Sequence, residues 1–123
     1  MGKTHKDLGI WQQGIDLVDH VYQATKAFPK DEEYGLKSQM RRAAVSYPSN
    51  IAEGAARSSR NEYIRFAYIA LGSLSELETQ LVIAGRLKYL QPTALLEEVE
   101  SLRRKTLNFI KYLKSGKNKG TSK

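Results

Sequence analysis

Residues 63–84, YIRFAYIALGSLSELETQLVIA, decide the fold, because apolar side chains recur in this stretch every three or four positions. At about 100° per residue, this spacing gathers them into one stripe along an α-helix. The stripe is made of Tyr63, Phe66, Ala67, Ala70, Leu74, Leu77, Leu81 and Ala84. Five more apolar residues widen it on its two flanks: Ile64, Leu71 and Val82 on one, and Ile69 and Leu87 on the other. An arc this broad exceeds what a surface helix needs, so we expect this helix to lie centrally in a bundle or to face another subunit as well.

Three further segments show the same period, and together the four predict an all-α protein, an up-and-down antiparallel four-helix bundle with short connections. Helix one is predicted from about Gly9 to Ala27, where Phe28-Pro29 stops it because a residue before proline avoids helical angles. Its predicted apolar stripe is formed by Trp11, Ile15, Val18, Tyr22 and Thr25, with Leu17, Val21 and Phe28 beside them.

Acidic residues, a proline and a capping motif set the bounds of the middle helices. Helix two is predicted from the carboxylates at 31–33 to about Ala56, with a kink at Pro48, which cannot donate to the preceding turn. It is rich in small residues, which let helix backbones approach closely. Helix three follows a capping box at 59–62 and continues to about Tyr89.

The last helix and the chain ends complete the division of the chain. Helix four is predicted to begin at Pro92 and to stop at Gly116. Its predicted apolar stripe is formed by Leu95, Val99, Leu102, Thr106, Phe109, Ile110 and Leu113. The basic residues near its end suit the helix dipole: Arg103, Arg104, Lys105, Lys111 and Lys114. We expect a flexible N-terminus over residues 1–8, the helical bundle over 9–115 and a disordered basic tail over 116–123.

Composition excludes several classes of protein. The chain has 123 residues, the length of one domain, and no cysteine, which excludes disulfides, thiolate metal sites and cysteine nucleophiles. No apolar run approaches the ~18 residues that a membrane span needs, and the first residues lack the apolar stretch of a secretory signal. We therefore expect a cytoplasmic protein with no membrane partner.

The net charge of +7 is unevenly distributed along the chain. Residues 7–113 carry 14 basic and 13 acidic side chains, so most of the excess lies at the two chain ends. Within the body, basic residues concentrate between 37 and 65, at Lys37, Arg41, Arg42, Arg57, Arg60 and Arg65. Because guanidinium groups match phosphate oxygens, we expect these six to contact an RNA or DNA backbone. A solvated face or salt bridges between subunits explains them about equally well.

Tyr63 and Tyr68 lie near the arginines and are suited to stack on bases, although Tyr63 fits the core better.

The histidines give little support for a metal site. His5 and His20 are the only two in the chain. Asp16 and His20 lie one helical turn apart, but a solvated pair explains them better than two metal ligands do. A di-iron bundle requires Glu-x-x-His pairs on two helices, which the sequence lacks. We therefore predict no metal and no other cofactor.

Three glutamates, Glu53, Glu76 and Glu78, lie within otherwise apolar helices. Paired carboxylates can perform acid–base chemistry. Buried or interfacial hydrogen bonds explain them better, with Glu53 beside Asn50 and Glu76 beside a facing arginine. We therefore predict no catalytic residues, and an enzyme remains a hypothesis that rests on these carboxylates alone.

Two stretches resemble a known bacterial family: residues 39–54, QMRRAAVSYPSNIAEG, and residues 70–81, ALGSLSELETQL. They are similar to the four-helix-bundle proteins encoded in intervening sequences of large-subunit ribosomal RNA genes. That family includes the accessory variability determinant of diversity-generating retroelements. The residues at 11–12, 22 and 28–30 also fit the family's first helix and turn, so the resemblance covers about residues 8–113.

The resemblance implies a bundle that assembles as a homopentamer and carries no catalysis. In the retroelement branch it implies a basic surface that binds nucleic acid, and a reverse transcriptase as partner. The family's signature residues fall here at Asn50, Glu53, Gly54, Gly72, Ser73 and Glu76. These residue types suggest close helix packing and hydrogen bonds that hold the helices together. An alternative function is a protein-interaction scaffold that docks a partner in grooves between subunits, which the wide apolar arc of helix three favours.

Overall fold

Four α-helices joined by short turns make up the protein, according to a computed structural model that describes residues 4–116. Their bounds are Gly9–Thr25 (α1), Leu36–Ala55 (α2), Arg60–Arg86 (α3) and Thr93–Ser115 (α4). Short 3-10 turns at His5–Asp7 and Lys30–Glu32 precede α1 and α2. Residues 4–116 contain no β-strand, and none of their helices is long and apolar enough to cross a membrane.

The helices pack as the up-and-down antiparallel four-helix bundle that the sequence predicts. α1 contacts α2, α2 contacts α3, α3 contacts α4, and α4 returns to α1, so each helix has two neighbours. The closest packing joins α2 to α3. A Cβ added at Gly54 would lie 2.9 Å from Phe66 Cβ and 2.9 Å from the Tyr63 ring, so only glycine fits there without a shift.

One side of each helix forms the core. The predicted stripe of α3 is buried at Ala67, Ala70, Leu74, Leu77, Leu81 and Ala84, whereas Tyr63 and Phe66 at its start are half-buried. α4 buries six of its seven predicted residues, Leu95, Val99, Leu102, Thr106, Ile110 and Leu113, and leaves Phe109 half-buried. These two helices were predicted well because their apolar period is not interrupted.

A buried hydrogen bond crosses the core diagonally from α2 to α4. The Tyr47 hydroxyl lies 2.6 Å from Thr106 Oγ1, and both side chains are fully buried. The Thr106 hydroxyl also donates to the Leu102 carbonyl at 2.7 Å. Burial raises the pKa of the Tyr47 phenol, so this tyrosine stays neutral. The pair is therefore a satisfied polar contact that fixes the register of the two helices.

The buried face of α1 is rotated from the predicted one. The helix buries Ile10, Gly14, Leu17, Val21 and Thr25. Ile15 and Tyr22, which were predicted to be core, are exposed. A Cβ at Gly14 would lie 2.7 Å from the Tyr47 ring, so the tyrosine of α2 packs directly on this glycine and brings its side of α1 inward. A count of apolar residues gives no weight to a glycine, which is why the prediction was wrong.

α2 begins five residues later than the predicted start at Asp31, because a 3-10 turn and a non-helical Gly35 (φ −109°, ψ −115°) precede Leu36. A carboxylate nevertheless binds the helix N-terminus, because Glu32 Oε1 accepts a hydrogen bond from the Leu36 N–H at 2.9 Å. Glu32 Oε2 also accepts from the Tyr89 hydroxyl at 3.0 Å. α2 then continues over Pro48, and the bend at that residue stays a prediction.

α1 and α3 also end two or three residues before their predicted limits. The Thr25 hydroxyl donates to the Val21 carbonyl at 2.8 Å at the last turn of α1. After α3, Lys88 adopts the left-handed conformation (φ 62°), which lets the Tyr89 N–H bond to the Ala84 carbonyl at 2.9 Å. Ser59 Oγ accepts from the Glu62 N–H at 3.1 Å, as the capping motif predicts.

The two ends of the described chain are partly structured. Residues 4–8, which the sequence assigns to a flexible N-terminus, include a 3-10 turn with a capping box between Thr4 and Asp7. Gly116 stops α4 in a left-handed conformation (φ 74°), as predicted. The predicted disordered tail beyond it, residues 117–123, lies outside the described residues.

Candidate nucleic-acid interface

The six basic residues singled out in the sequence separate into two groups. Lys37, Arg41 and Arg42 lie in the first turns of α2, and Arg57, Arg60 and Arg65 surround the turn between α2 and α3. Sixteen residues separate Arg41 from Arg57, which corresponds to about 24 Å along a helix axis. The six therefore do not form a single patch.

Arg41 holds α1 to α2. Its Nε–H donates to Thr25 Oγ1 at 2.9 Å and its Nη2 donates to the Tyr22 carbonyl at 3.1 Å. The guanidinium also lies 4.3 Å from the centroid of the Tyr22 ring. These contacts use the donors that a phosphate would need, so Arg41 is primarily a structural residue.

Lys37 and Arg42 also have partners within their own helix region. Lys37 Nζ donates to Glu33 Oε1 at 3.1 Å, and Arg42 Nη1 donates to Ser38 Oγ at 3.0 Å. Both line an open groove of about 760 Å³, together with Arg41 and the carboxylates of Glu33 and Glu76. The mixed charge of this groove gives a polyanion little net attraction.

The second group is exposed and loosely held. Arg57 Nη2 donates to Glu53 Oε2 at 2.7 Å, and Arg65 lies 3.7 Å from Glu62. The guanidinium carbons of Arg57 and Arg65 lie 4.8 and 5.2 Å from the centroid of the Phe66 ring. Arg60 has no hydrogen-bond or ion-pair partner within residues 4–116. Exposed ion pairs are weak, so these three guanidinium groups are available to a phosphate.

Antiparallel packing brings further cations to the second group. We call residues 4–13, 49–69 and 105–116 the basic end of the bundle; they carry seven basic and three acidic side chains. The opposite end, residues 19–43 and 76–100, carries seven basic and nine acidic side chains. The four remaining lysines of the sequence lie before Thr4 or after Gly116, and these two residues both belong to the basic end. The body of the protein is therefore near neutral in sum but polarised along its length.

α4 adds cations to the basic end that were not among the six predicted residues. Lys105, Lys111 and Lys114 were expected only to complement the helix dipole. Lys114 Nζ donates to the Tyr68 hydroxyl of α3 at 2.8 Å and lies 5.1 Å from the ring centroid. The predicted topology could have placed these lysines there, because in an up-and-down bundle the end of the fourth helix lies beside the start of the third.

Three signature residues lie at the contact between α2 and α3. Asn50 Nδ2 donates to the Ser46 carbonyl at 2.9 Å and to Ser46 Oγ at 3.0 Å. Ser46 Oγ in turn is hydrogen-bonded to Ser73 Oγ of α3 at 2.8 Å. Together with the close packing at Gly54, this chain of hydrogen bonds joins the two helices.

The other signature residues face outward. Glu53 pairs with Arg57 and not with Asn50 as predicted. Glu76 is exposed and is not paired with an arginine within residues 4–116; its partner is Gln80 Nε2 at 3.4 Å. A Cβ at Gly72 would meet nothing within 4 Å, so no helix of the same chain uses the room it offers.

The histidine with the clearest contact is His20, which connects α1 to α4. Its Nδ1 lies 2.9 Å from each carboxylate oxygen of Glu98. The hydrogen bond to Glu98 raises the pKa of His20. Residues 4–116 contain no group of three or more histidine, aspartate or glutamate side chains able to hold a metal ion. This contact is therefore an ion pair between two helices when the imidazole is protonated.

Comparison with known proteins adds a family and a fold. The family model of the 23S rRNA-intervening sequence protein matches residues 6–115. The crystal structure of a protein of unknown function from the S23 ribosomal protein family of Bacteroides thetaiotaomicron is similar, with a TM-score of 0.74 and 19% identity. The match covers 83% of this chain and 98% of that chain, and at this identity it concerns the fold alone. No curated protein matches the sequence significantly.

Proposed function

Since the chain belongs to the 23S rRNA-intervening sequence protein family, we propose that it is a non-enzymatic helical bundle that binds an RNA or DNA backbone through its basic end. The observation that carries this proposal is the polarised charge of the fold. Seven basic and three acidic side chains share one end, and Arg60 has no partner there within residues 4–116. The finer form of the proposal is an accessory role beside a reverse transcriptase.

The physics of this end favours backbone contacts over sequence reading. Arginine forks bind phosphate oxygens in pairs, and each neutralised phosphate releases condensed counterions. The ion pairs of Arg57 and Arg65 lie at the surface, where exchange of a carboxylate for a phosphate costs little. We therefore propose binding that is sensitive to salt and largely independent of sequence.

A fluorescence anisotropy titration of a labelled RNA tests this proposal. We expect saturable binding at low salt and a linear fall of log K with log salt concentration. Absence of binding at low salt would exclude the function and leave the protein-interaction scaffold as the remaining hypothesis.

We also propose that the protein assembles with itself, as a homopentamer. Apolar residues remain exposed on the single chain: Ile15 and Tyr22 on α1, Val45 on α2, Ile69 and Ile83 on α3, and Leu87 just after it. A ring of copies requires each copy to present two different surfaces to its neighbours, and such heterologous contacts close into a ring when the rotation between copies closes. The number five rests on the family resemblance.

Gly72 offers a specific test of assembly. Glycine within a helix costs about 0.5–1 kcal/mol relative to alanine, and the packing of a single chain gives no compensation at this position. If a neighbouring copy uses the room, Gly72→Leu will shift the mass measured by sedimentation equilibrium toward the monomer. Gly9→Leu is the control, because a Cβ at Gly9, the first residue of α1, also meets nothing within 4 Å, and this substitution should leave the mass unchanged. A wild-type monomer, or equal masses for wild type and Gly72→Leu, would contradict assembly through this site.

A further inference from the structure

Four aromatic side chains lie at the basic end, and three of their rings, those of Tyr63, Phe109 and Tyr112, contact one another in series. The fourth, Phe66, is on α3 like Tyr63, and its Cβ lies against Gly54 together with the Tyr63 ring. The centroid of the Tyr63 ring is 5.3 Å from that of Phe109 on α4, and Phe109 is 6.4 Å from Tyr112 in a stacked arrangement with an interplanar angle of 26°. We call these four residues the aromatic row.

The aromatic row is only partly used by the core. Tyr63, Phe66 and Phe109 are half-buried, and Tyr112 is 44% exposed. The bundle's fully buried large side chains lie elsewhere, at residues such as Tyr47, Leu77 and Leu102. Ring surface in the aromatic row therefore remains accessible in the described chain.

Basic residues accompany the aromatic row. Arg57 and Arg65 both lie over the Phe66 ring, Arg60 begins the same helix, and Lys111 is the neighbour of Tyr112 in the sequence. A surface of this kind offers two sorts of contact at once. The cations bind phosphates, and the rings and guanidinium planes stack on nucleobases, whichever base is present.

Only an unpaired strand can use both contacts. In a duplex the faces of the bases are covered by their neighbours in the stack, so a duplex would engage the cations alone. We infer that the basic end is a site for single-stranded nucleic acid, in which bases stack on the aromatic row while Arg57, Arg60 and Arg65 hold the phosphates. This inference rests on the proposed function and specifies its ligand.

The test compares one labelled oligonucleotide as a single strand and as a duplex of the same sequence and length, by fluorescence anisotropy at one salt concentration. We expect the single strand to bind at least about tenfold more tightly. Tyr112→Leu keeps an apolar side chain but removes the ring, and should weaken single-strand binding about five- to tenfold with duplex binding unchanged. Tyr112→Phe keeps the ring and should bind like the wild type.

Tyr34→Leu is the matched control, because Tyr34 is an exposed tyrosine at the opposite end of the bundle. It should leave the affinity for both forms unchanged. Equal affinity of the wild type for single strand and duplex would overturn the inference and leave the proposed function intact, whereas binding to neither form would remove both. An unchanged single-strand affinity of Tyr112→Leu, with an altered mass by sedimentation, would assign the aromatic row to contact between copies and would overturn the inference too.

Discussion

Replacing Arg57, Arg60 and Arg65 together by glutamine should weaken the binding of single-stranded RNA about 100-fold at 0.1 M salt. The estimate follows from counterion release, because each lost phosphate contact on a single strand changes the slope of log K against log salt by about 0.7. Loss of three contacts therefore lowers the slope by about two. Over the tenfold range of salt concentration from 1 M to 0.1 M, this difference in slope corresponds to about 100-fold in affinity. The measurement is the anisotropy titration of wild type and variant over the same salt series.

A second triple variant provides the control for net charge. Lys26, Lys30 and Arg86 are exposed and lie at the opposite end of the bundle. Their replacement by glutamine removes the same charge from the end that is not proposed to bind nucleic acid. Screening over about 10 Å limits their influence, and we expect less than a threefold loss of affinity. Equal losses in the two triple variants would show that net charge alone drives binding, and no loss in either would assign binding to other residues.

The fold should survive the first triple substitution. Arg57 and Arg65 make only exposed ion pairs, which are worth about 0–1 kcal/mol each. Arg41 is left out of this variant because its bonds to Thr25 and Tyr22 hold α1 in place. A thermal melt of the variant therefore separates loss of binding from loss of structure.

Leu77→Ala should lower the free energy of unfolding by about 2–5 kcal/mol. Leu77 is fully buried at the middle of α3, so the substitution removes apolar contacts and leaves a cavity. Urea denaturation, followed by the negative circular-dichroism signal of helices at 222 nm, gives the change in free energy.

Ile83→Ala on the same helix is the control for this prediction. Ile83 is 42% exposed in the single chain, so truncation there should cost about 1 kcal/mol or less. A Leu77→Ala variant as stable as the wild type would remove Leu77 from the core. A cost at Ile83 as large as that at Leu77 would instead show that assembly covers this face.

The sequence predicts helices best where the apolar period is unbroken. The stripes of α3 and α4 were assigned correctly because burial there needs only a count of apolar residues. The stripe of α1 was not, because the contact between Gly14 and Tyr47 depends on a second helix. The start of α2 was misplaced for a similar reason, since Glu32 serves the helix N-terminus from a preceding turn.

The candidate site could be predicted in its residue types but not in its grouping. Arg41 and Arg57 look equivalent in the sequence, yet Arg41 is hydrogen-bonded to Thr25 of α1 whereas Arg57 is exposed. Gly54 and Gly72 both look like packing glycines, but only Gly54 is packed within the chain. Lys111 lies far from Arg60 in sequence and joins the same end only through antiparallel packing. Such differences arise from contacts between helices, which local patterns do not encode.

An amide NMR titration with a short single-stranded RNA tests the central claim, that nucleic acid binds at the basic end, most directly. The account predicts chemical-shift changes that cluster in residues 4–13, 49–69 and 105–116 and diminish as salt is added. Changes confined to the region of Lys37, Arg41 and Arg42, with the basic end unaffected, would contradict it.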